Sequence, residues 1–376
     1  MEYITVKELF KITKGKKVEE IDYKNENSIR YIQIDDLRNN NNIKHCENIN
    51  KYVIAKKEDI IIAWDGANAG TIGFGIEGAI GSTLAILRKE NKEMDTEFCG
   101  LFLRSKSAYL REKCTGATIP HIQRTALEDI EIPKIPLNKQ IEIKNIINKS
   151  QELIDKRKEQ IEALDELVKS KFIEMFGEWF KNKTYYHQLS EICTFIDYRG
   201  KTPEKSESGI PLITAKNVKS NSFSFEPREY IPSENYREVM TRGIPKVNDI
   251  LFTTEAPLGN VCRIPSIEGE FCVGQRLITM QPTDRIVSEY LEYALLSEQF
   301  QNEMWKHASG STVKGIRSKE LVKLSLPVPP IELQNQFSDF VNQVDKLKFE
   351  MEKSLKELED NFNSLMQKAF NGELFI

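Results

Sequence analysis

The sequence lacks any apolar run near the length of a membrane span. The chain has 376 residues, of which 29% are charged and 40% hydrophobic, and a transmembrane helix needs about 20 consecutive apolar residues. The first residues, MEYITVKELF, also lack the apolar core of a signal peptide, so we expect a cytoplasmic protein without membrane contacts. The six cysteines form no CxxC pair, which predicts free thiols rather than disulfides or a zinc site.

Catalytic motifs are absent as well. The chain contains no Asn-Pro-Pro-aromatic tetrapeptide, no GxxxxGK[ST] phosphate loop and no HExxH, and its four histidines are isolated. Residues 73–78 do spell GxGxxG, but a dinucleotide-binding loop must lead into a helix. Here the following residues read as another strand, so we interpret the motif as a hairpin turn. The sequence predicts a protein without catalytic activity.

The chain also lacks the excess of basic charge that many DNA-binding proteins carry. Its net charge is −4. Residues 138–176 contain 8 basic and 8 acidic residues, residues 332–376 contain 5 and 9, and the remainder contains 40 of each. The acidic excess therefore belongs to the C-terminal segment, and the other regions have enough positive charge for one basic face.

An internal repeat organises the chain. Residues 115–122 (TGATIPHI) return as 309–316 (SGSTVKGI), and residues 132–136 (IPKIP) return as 326–330 (LPVPP). A long charged run follows each copy. A repeat of this length predicts two domain-sized copies, each a globule with a helical arm.

The globules read as mixed and β-rich, with short helices, so the predicted fold class is α+β. We expect two tandem globular domains, each followed by a long helix. The predicted segments are 1–137, 138–176, 177–331 and 332–376.

Both arms carry an apolar stripe with a period of seven residues. Ile146, Leu153 and Leu167 widen the first stripe. Such spacing predicts amphipathic helices that pair as an antiparallel coiled coil, each about 58 Å long at 1.5 Å per residue. The predicted packing residues are Ile147, Ile154, Ile161, Val168, Val344, Met351, Leu358 and Leu365.

These motifs resemble the specificity (S) subunit of type I restriction-modification systems. The resemblance covers the whole chain and is carried by residues 115–122, 130–133 and 136–140 of the first half. In the second half it is carried by residues 198–203 (YRGKTP), 310–312, 326–330 and Gln334. The first half departs from the pattern at residues 13–17, which keep a glycine but lack the Thr-Pro.

The resemblance implies two target recognition domains that each read half of a split site on double-stranded DNA. It implies that the paired helices fix the spacing and dock two methyltransferase (M) subunits. S-adenosylmethionine, Mg and ATP would be needed only by partner subunits, so the chain itself would need no cofactor. The sequence leaves open whether a motor or restriction (R) subunit also joins.

The candidate DNA contacts lie on glycine-bearing loops or directly after strands. There, side chains can reach base edges or phosphates. In the first half they are Gln33, Asp35, Asn68, Thr118, His121, Gln123 and Arg124. In the second half they are Tyr198, Arg199, Lys201, Thr202, Lys216, Asn217, Ser311, Thr312, Lys314 and Arg317.

Two other functions compete with this hypothesis. One is a self-sufficient DNA methyltransferase or nuclease, which the missing motifs disfavour. The other is a coiled-coil scaffold whose globules bind proteins, which the repeated loops with Arg and Lys disfavour.

Overall fold

The computed structural model describes residues 2–90, 93–116, 118–198 and 203–374. The chain divides into two compact units. Unit 1 comprises Met1–Lys158 and Lys353–Ile376, and unit 2 comprises Glu159–Glu352. The division falls inside both long helices, so each unit takes part of each arm. This division does not test the boundaries of the four predicted segments, which therefore stay a prediction.

Unit 1 is built on two four-stranded sheets. Its strands are Glu2–Thr5 (β1), Phe10–Lys14 (β2), Ser28–Ile32 (β3), Lys44–Glu47 (β4), Ile54–Ala55 (β5), Ile60–Ala63 (β6), Ile72–Phe74 (β7), Gly78–Ile80 (β8), Leu84–Lys89 (β9) and Glu131–Lys134 (β10). Its short helices are Val6–Leu9 (α1), Thr96–Ser105 (α2), Ser107–Glu112 (α3) and Arg124–Glu128 (α4). The sheets have the orders β2-β9-β6-β7 and β4-β3-β8-β5, and β1 pairs with β10. Every residue of β6 is buried, as expected for a β-branched run covered on both faces.

Unit 2 repeats this arrangement in part, because one of its two main sheets has four strands and the other three, and it has an additional two-stranded sheet. Its strands are Tyr186–Gln188 (β11), Cys193–Asp197 (β12), Ile210–Ile213 (β13), Val218–Lys219 (β14), Ser222–Phe223 (β15), Tyr230–Ile231 (β16), Ile250–Thr254 (β17), Leu258–Arg263 (β18), Cys272–Val273 (β19), Leu277–Pro282 (β20) and Ser325–Pro327 (β21). Two long helices, Leu137–Phe176 (α5) and Ile331–Asn371 (α11), flank its short helices along the chain. The short helices are Leu189–Ile192 (α6), Tyr236–Val239 (α7), Ser288–Leu296 (α8), Glu298–Lys306 (α9) and Ser318–Leu321 (α10).

The strand pairing confirms the predicted repeat and the α+β fold class. The order β12-β20-β17-β18 in unit 2 matches β2-β9-β6-β7 in unit 1. Ile60 lies opposite Phe74 in one copy, and Ile250 lies opposite Arg263 in the other. Each copy also contains one parallel pair, β3 with β8 and β13 with β19. The two halves of the sequence therefore fold to one pattern.

The long helices begin and end close to the predicted positions. α5 begins directly after Pro136 and α11 directly after Pro330, because proline tolerates a helix start but not its interior. Gly372 follows the last residue of α11 with a φ of +79°. This left-handed conformation is typical of the glycine that ends a helix.

Within each unit, parts of α5 and α11 pair in antiparallel fashion. In unit 1, Lys158 forms an ion pair with Glu359 at 2.8 Å, and Ile147 and Met366 line one cavity. In unit 2, Lys348 binds Asp165 at 2.6 Å. In both units, later residues of α5 meet earlier residues of α11.

The described stripe residues follow a narrower seam than the sequence predicts. The eight predicted packing residues are all buried or half-buried. The residues expected to widen the first stripe are instead exposed: Ile146 by 36%, Leu153 by 46% and Leu167 by 48%. For α5 the wider stripe was a wrong expectation, because its partner helix covers only a narrow apolar seam.

Two buried glutamines join each long helix to its own globule. Gln140 accepts the N–H of Asp95 at 2.7 Å and donates to the carbonyl of Ile135 at 2.7 Å. Gln334 accepts the N–H of Val287 at 3.0 Å and donates to the carbonyl of Pro329 at 2.8 Å. Asp95 and Val287 directly precede α2 and α8, so each glutamine fixes a recognition-domain helix at the start of a long helix.

Candidate nucleic-acid interface

The GxGxxG motif lies in a turn that leads into another strand, as the sequence predicts, but the two strands belong to different sheets and form no hairpin. Residues 73–78 run from β7 through a turn into β8. Gly75 has a φ of +75°, which suits the turn, and no helix follows. Since a dinucleotide's phosphates need a helix N-terminus, this segment does not form a dinucleotide-binding loop.

The repeated motif forms a closed loop in each unit, which we call the repeat loop (residues 115–122 and 309–316). In unit 1, Thr115 and His121 exchange two backbone hydrogen bonds of 2.9 and 2.8 Å. In unit 2, Ser309 and Gly315 exchange two of 2.8 and 2.9 Å. The motif is therefore a structural unit that appears once per recognition domain.

A glycine in left-handed conformation is required near the start of each repeat loop. Gly116 has a φ of +103° and Gly310 a φ of +112°. A Cβ atom would lie 2.4 Å from the Ile119 carbonyl oxygen in the first loop and 2.1 Å from the Val313 oxygen in the second. A side chain would therefore clash with the backbone that closes the loop.

Each repeat loop is joined to the end of a central strand. The N–H of Ile122 donates to the Trp64 carbonyl at 3.0 Å, and the N–H of Ile316 donates to the Thr254 carbonyl at 3.0 Å. The described tip residues project outward, and Ile119 and Val313 are exposed by 58% and 52%. The exposed predicted DNA contacts on or beside the loops are Thr118, His121, Gln123, Arg124, Ser311, Thr312, Lys314 and Arg317.

In unit 2 the repeat loop borders an open cavity of about 680 Å³. Gln275 and Arg276 line it together with Arg317, and Arg276 forms an ion pair with Glu255 at 3.2 Å. Sequence reasoning missed Gln275 and Arg276, because they follow a glycine with no motif around them. Arg and Gln side chains on a concave, exposed surface have the donor groups that read guanine and adenine edges.

Two predicted contacts are buried and have structural roles. Tyr198 is 2% exposed, and its hydroxyl donates to the Gly243 carbonyl at 2.6 Å. Asn217 is 4% exposed, and its side chain accepts the N–H of Thr214 at 2.9 Å and donates to the Ser224 carbonyl at 3.0 Å. Because these side chains hydrogen-bond to the backbone of unit 2, both positions hold the fold together rather than face DNA.

The remaining predicted contacts occupy mixed positions. Lys216 is exposed and pairs with Glu229 at 3.0 Å, and hydrogen bonds from Lys205 and Lys216 hold the pKa of Glu229 below its usual value. In unit 1, Asp35 is exposed, while Gln33 and Asn68 are half-buried. Arg199, Lys201 and Thr202 lie outside the described residues, so their predicted role stays a prediction.

The described ranges contain no group of three or more His, Cys, Asp or Glu side chains placed to bind a metal ion. The cysteines are free thiols, as predicted, and burial raises the pKa of Cys99 and Cys193 to about 12. None of the helices in the described part of the chain has an apolar stretch that would cross a bilayer.

Comparisons with known proteins agree on one family. A sequence model described as "Type I restriction modification DNA specificity domain" matches residues 1–163 and 183–360. The "Type I restriction enzyme MjaVIII specificity subunit" of Methanocaldococcus jannaschii is 26% identical, over 99% of this chain and 92% of that protein. The "Putative type I restriction enzyme MjaX specificity subunit" of the same organism is 22% identical, over 78% of this chain and 72% of that protein.

Solved structures give the same fold. The type I restriction-modification S subunit from M. genitalium is similar with a TM-score of 0.54 and 19% identity, over 98% of this chain and 96% of that one. A chain from a study of "complex assembly and conformational transition of the type I R-M system" is similar with a TM-score of 0.53 and 18% identity. That match covers 99% of this chain and 98% of the other.

Proposed function

The chain belongs to the family of type I restriction-modification DNA specificity proteins, and from this premise we propose how it works as a specificity subunit. It reads a DNA site in two separate halves, one with each recognition domain. It docks two copies of an adenine methyltransferase subunit, which bind S-adenosylmethionine and perform the chemistry. The chain itself catalyses no reaction.

The observation that carries this proposal is the presence of one repeat loop in each unit, with one backbone frame and different side chains. Thr118 and His121 of the first loop correspond to Thr312 and Gly315 of the second, and Lys314 replaces a proline. Base readout depends on which donors and acceptors a frame presents. Two equal frames with unequal side chains suit a site with two different halves.

Support for two partner copies comes from a pair of cavities at equivalent places in the repeat. In unit 2, a cavity of about 550 Å³ lies between Phe172 and Ile173 of α5 and Tyr293 of α8. In unit 1, a cavity of about 460 Å³ lies between Met366 of α11 and Leu101 of α2. Met366 and Phe172 hold corresponding positions in the repeat, and so do Leu101 and Tyr293. Each cavity could therefore bind the same segment of one of two identical partner subunits.

The absence of catalysis is inferred from chemistry rather than from empty sites. The sequence lacks the Asn-Pro-Pro-aromatic tetrapeptide of a methyltransferase, the GxxxxGK[ST] phosphate loop and the HExxH metal motif. The thiols of Cys99 and Cys193 have pKa values raised to about 12 by burial, so they stay protonated and unreactive near neutral pH.

The test is to map adenine methylation across the genome in cells with the gene intact and with the gene deleted, in each case expressing the partner methyltransferase. We expect one split motif to lose its methyl marks on deletion. The same marks should return when the gene is restored. Unchanged marks in the deletion strain would reject the specificity function and favour a scaffold.

A further inference from the structure

We propose that unit 1 contains a binding site for a phosphate of the DNA backbone, formed by Arg38, Arg104 and Arg111. These side chains, with Thr71, Ser107 and Gln151, line an open concavity of about 470 Å³ that we call the arginine concavity. The proposal rests on the proposed DNA-reading function and names a contact that neither the repeat nor the motifs predict.

The three arginines come from separate segments and share one property. Arg38 follows a short 3-10 helix, whereas Arg104 belongs to α2 and Arg111 to α3. All three are exposed, and within the described part of unit 1 none has a carboxylate within 4.0 Å.

Three other arginines of unit 1 are ion-paired. Arg30 pairs with Asp36, Arg88 with Asp59 and Arg124 with Glu128, at 2.5 to 2.7 Å. The arginine concavity thus gathers three guanidinium groups that form no ion pair with the described residues of unit 1.

Uncharged neighbours hold two of these side chains in place. Arg38 Nη2 donates to Asn68 Oδ1 at 2.7 Å. The guanidinium carbon of Arg104 lies 4.7 Å from the centre of the Phe74 ring. Although the Arg104 side chain reaches solvent, desolvation by the surrounding protein lowers its pKa, and attraction to the Glu97 carboxylate offsets this only in part. Because these two side chains are already held in place, binding of an anion would cost little further side-chain conformational entropy.

Phosphate suits this concavity because a guanidinium presents a planar fork of donors that matches two phosphate oxygens. One carboxylate, Asp155, also lines the cavity, and it accepts a hydrogen bond from Gln151 at 2.9 Å. Three cations against one anion leave a clear positive excess.

The position favours DNA over an acidic segment of a partner protein. Residues 64–71 connect the arginine concavity to the repeat loop. At one end of this connection, the N–H of Gly66 donates to the Pro120 carbonyl at 2.8 Å. At the other, Asn68 holds Arg38 and Thr71 lines the cavity. Helix α3, which carries Arg111, leads directly into the repeat loop at Thr115.

The experiment measures DNA binding by the complex with its methyltransferase partner, using fluorescence anisotropy at several KCl concentrations. The probes are a duplex with the methylated motif and a duplex without it. Arg111→Gln, which alters no packing contact described above, should weaken binding to both duplexes by roughly ten-fold. It should also reduce the slope of log K against log [KCl] by about 0.9, which corresponds to one phosphate.

Lys113→Gln is the matched control. It removes one exposed positive charge from the same short segment, outside the arginine concavity. We expect little change in either quantity. An equal loss with Lys113→Gln would show a general charge effect and overturn the proposal.

Two further outcomes separate this proposal from the proposed function. If the wild-type complex does not prefer the motif duplex, the proposed function fails. If it does prefer that duplex but Arg111→Gln and the triple variant R38Q/R104Q/R111Q bind DNA normally, only the phosphate site fails. A weakened methyltransferase assembly with unchanged DNA binding would instead assign the concavity to an acidic partner segment.

Discussion

The contact between the recognition-domain helix and the edge strand of the sheet is apolar in unit 1 and ionic in unit 2. In unit 1, Phe74 of β7 packs against α2 at Gly100, and a Cβ atom on Gly100 would lie 2.5 Å from the Phe74 ring. Arg263 of β18 occupies the position of Phe74 in unit 2, and Glu292 of α8 occupies that of Gly100.

The ionic version extends to the long helix. Arg263 binds Glu292 at 2.7 Å, Glu289 at 3.1 Å and Asp345 of α11 at 2.7 Å. Glu292 is only 3% exposed, and burial raises its pKa despite the nearby guanidinium. In unit 1 the position of Asp345 is held by Gln151, which hydrogen-bonds Asp155 instead.

The difference teaches that the repeat preserves a backbone frame rather than a set of contacts. The strand order of one four-stranded sheet is the same in both units, whereas the residues that fill the helix–strand contact differ in size and charge. The exchange works only in pairs, since glycine makes room for phenylalanine and glutamate neutralises arginine. A frame of this kind can present different DNA-reading side chains in each copy.

The largest expected effect is on the ionic contact. Arg263→Ala leaves two buried carboxylates without their cation, so the free energy of unfolding should fall by about 3–5 kcal/mol. Urea denaturation measures it. Lys348→Ala, which breaks a more exposed pair with Asp165, is the control and should lose under about 1 kcal/mol. Equal losses for both variants would contradict the structural importance of the Arg263 network.

A smaller effect is expected on the apolar contact. Gly100→Ala pushes a methyl group into the Phe74 ring, which should lower the free energy of unfolding by about 1–3 kcal/mol. Phe74→Leu should relieve part of this loss, so a double-mutant cycle measures the coupling. Additive effects would show that the two positions do not constrain each other.

A still smaller change in free energy, here of DNA binding, is expected from substitutions in the repeat loops. Lys314→Ala should weaken DNA binding by the methyltransferase complex by about 1 kcal/mol and alter recognition in one half of the motif. His121→Ala should alter the other half. Methylation mapping of each variant checks this. If both variants change the same half, the assignment of one half-site to each unit is wrong.

The mildest test concerns pH. Because burial raises the pKa of Glu292 above its ordinary value of 4.5, its carboxyl favours folding below pH 4.5 and opposes it as pH rises through the folded-state pKa. Wild type should therefore lose stability relative to Glu292→Gln between pH 4 and pH 8. Urea denaturation at several pH values measures the difference. The opposite trend would mean that attraction to Arg263 outweighs burial.

Much of the fold could be predicted from the sequence because its signals are local or repeated. A seven-residue period predicts α5 and α11, and proline and glycine mark their ends closely. The prediction that residues 73–78 form a turn before another strand is confirmed, because the strand pattern that follows excludes a helix. The predicted hairpin is wrong, because the two flanking strands join different sheets. The wide apolar stripe was wrong for α5, since helix periodicity does not tell how much of a face one partner covers.

The candidate site was harder to predict. Asn217 follows a strand in a polar segment and reads as an exposed contact. In the fold its amide closes the turn after that strand, as the Asp36 carboxylate does in unit 1 by accepting the N–H of Gln33 at 2.7 Å. Such a side chain forms hydrogen bonds with backbone N–H and C=O groups that would otherwise be unpaired. The sequence alone does not show which backbone groups need such a partner.

By itself, the sequence determined the repeat, the helical arms and the two repeat loops, because spacing along the chain encodes each of them. Only the tertiary structure decided which charges stay unpaired. Arg38 is distant in sequence from Arg104 and Arg111, and the three share no motif, yet the fold brings them into one cavity where none forms an ion pair with a carboxylate of the described residues. Ion pairing depends on distances of a few ångströms between separate segments, and these are fixed only when the sheets and helices pack.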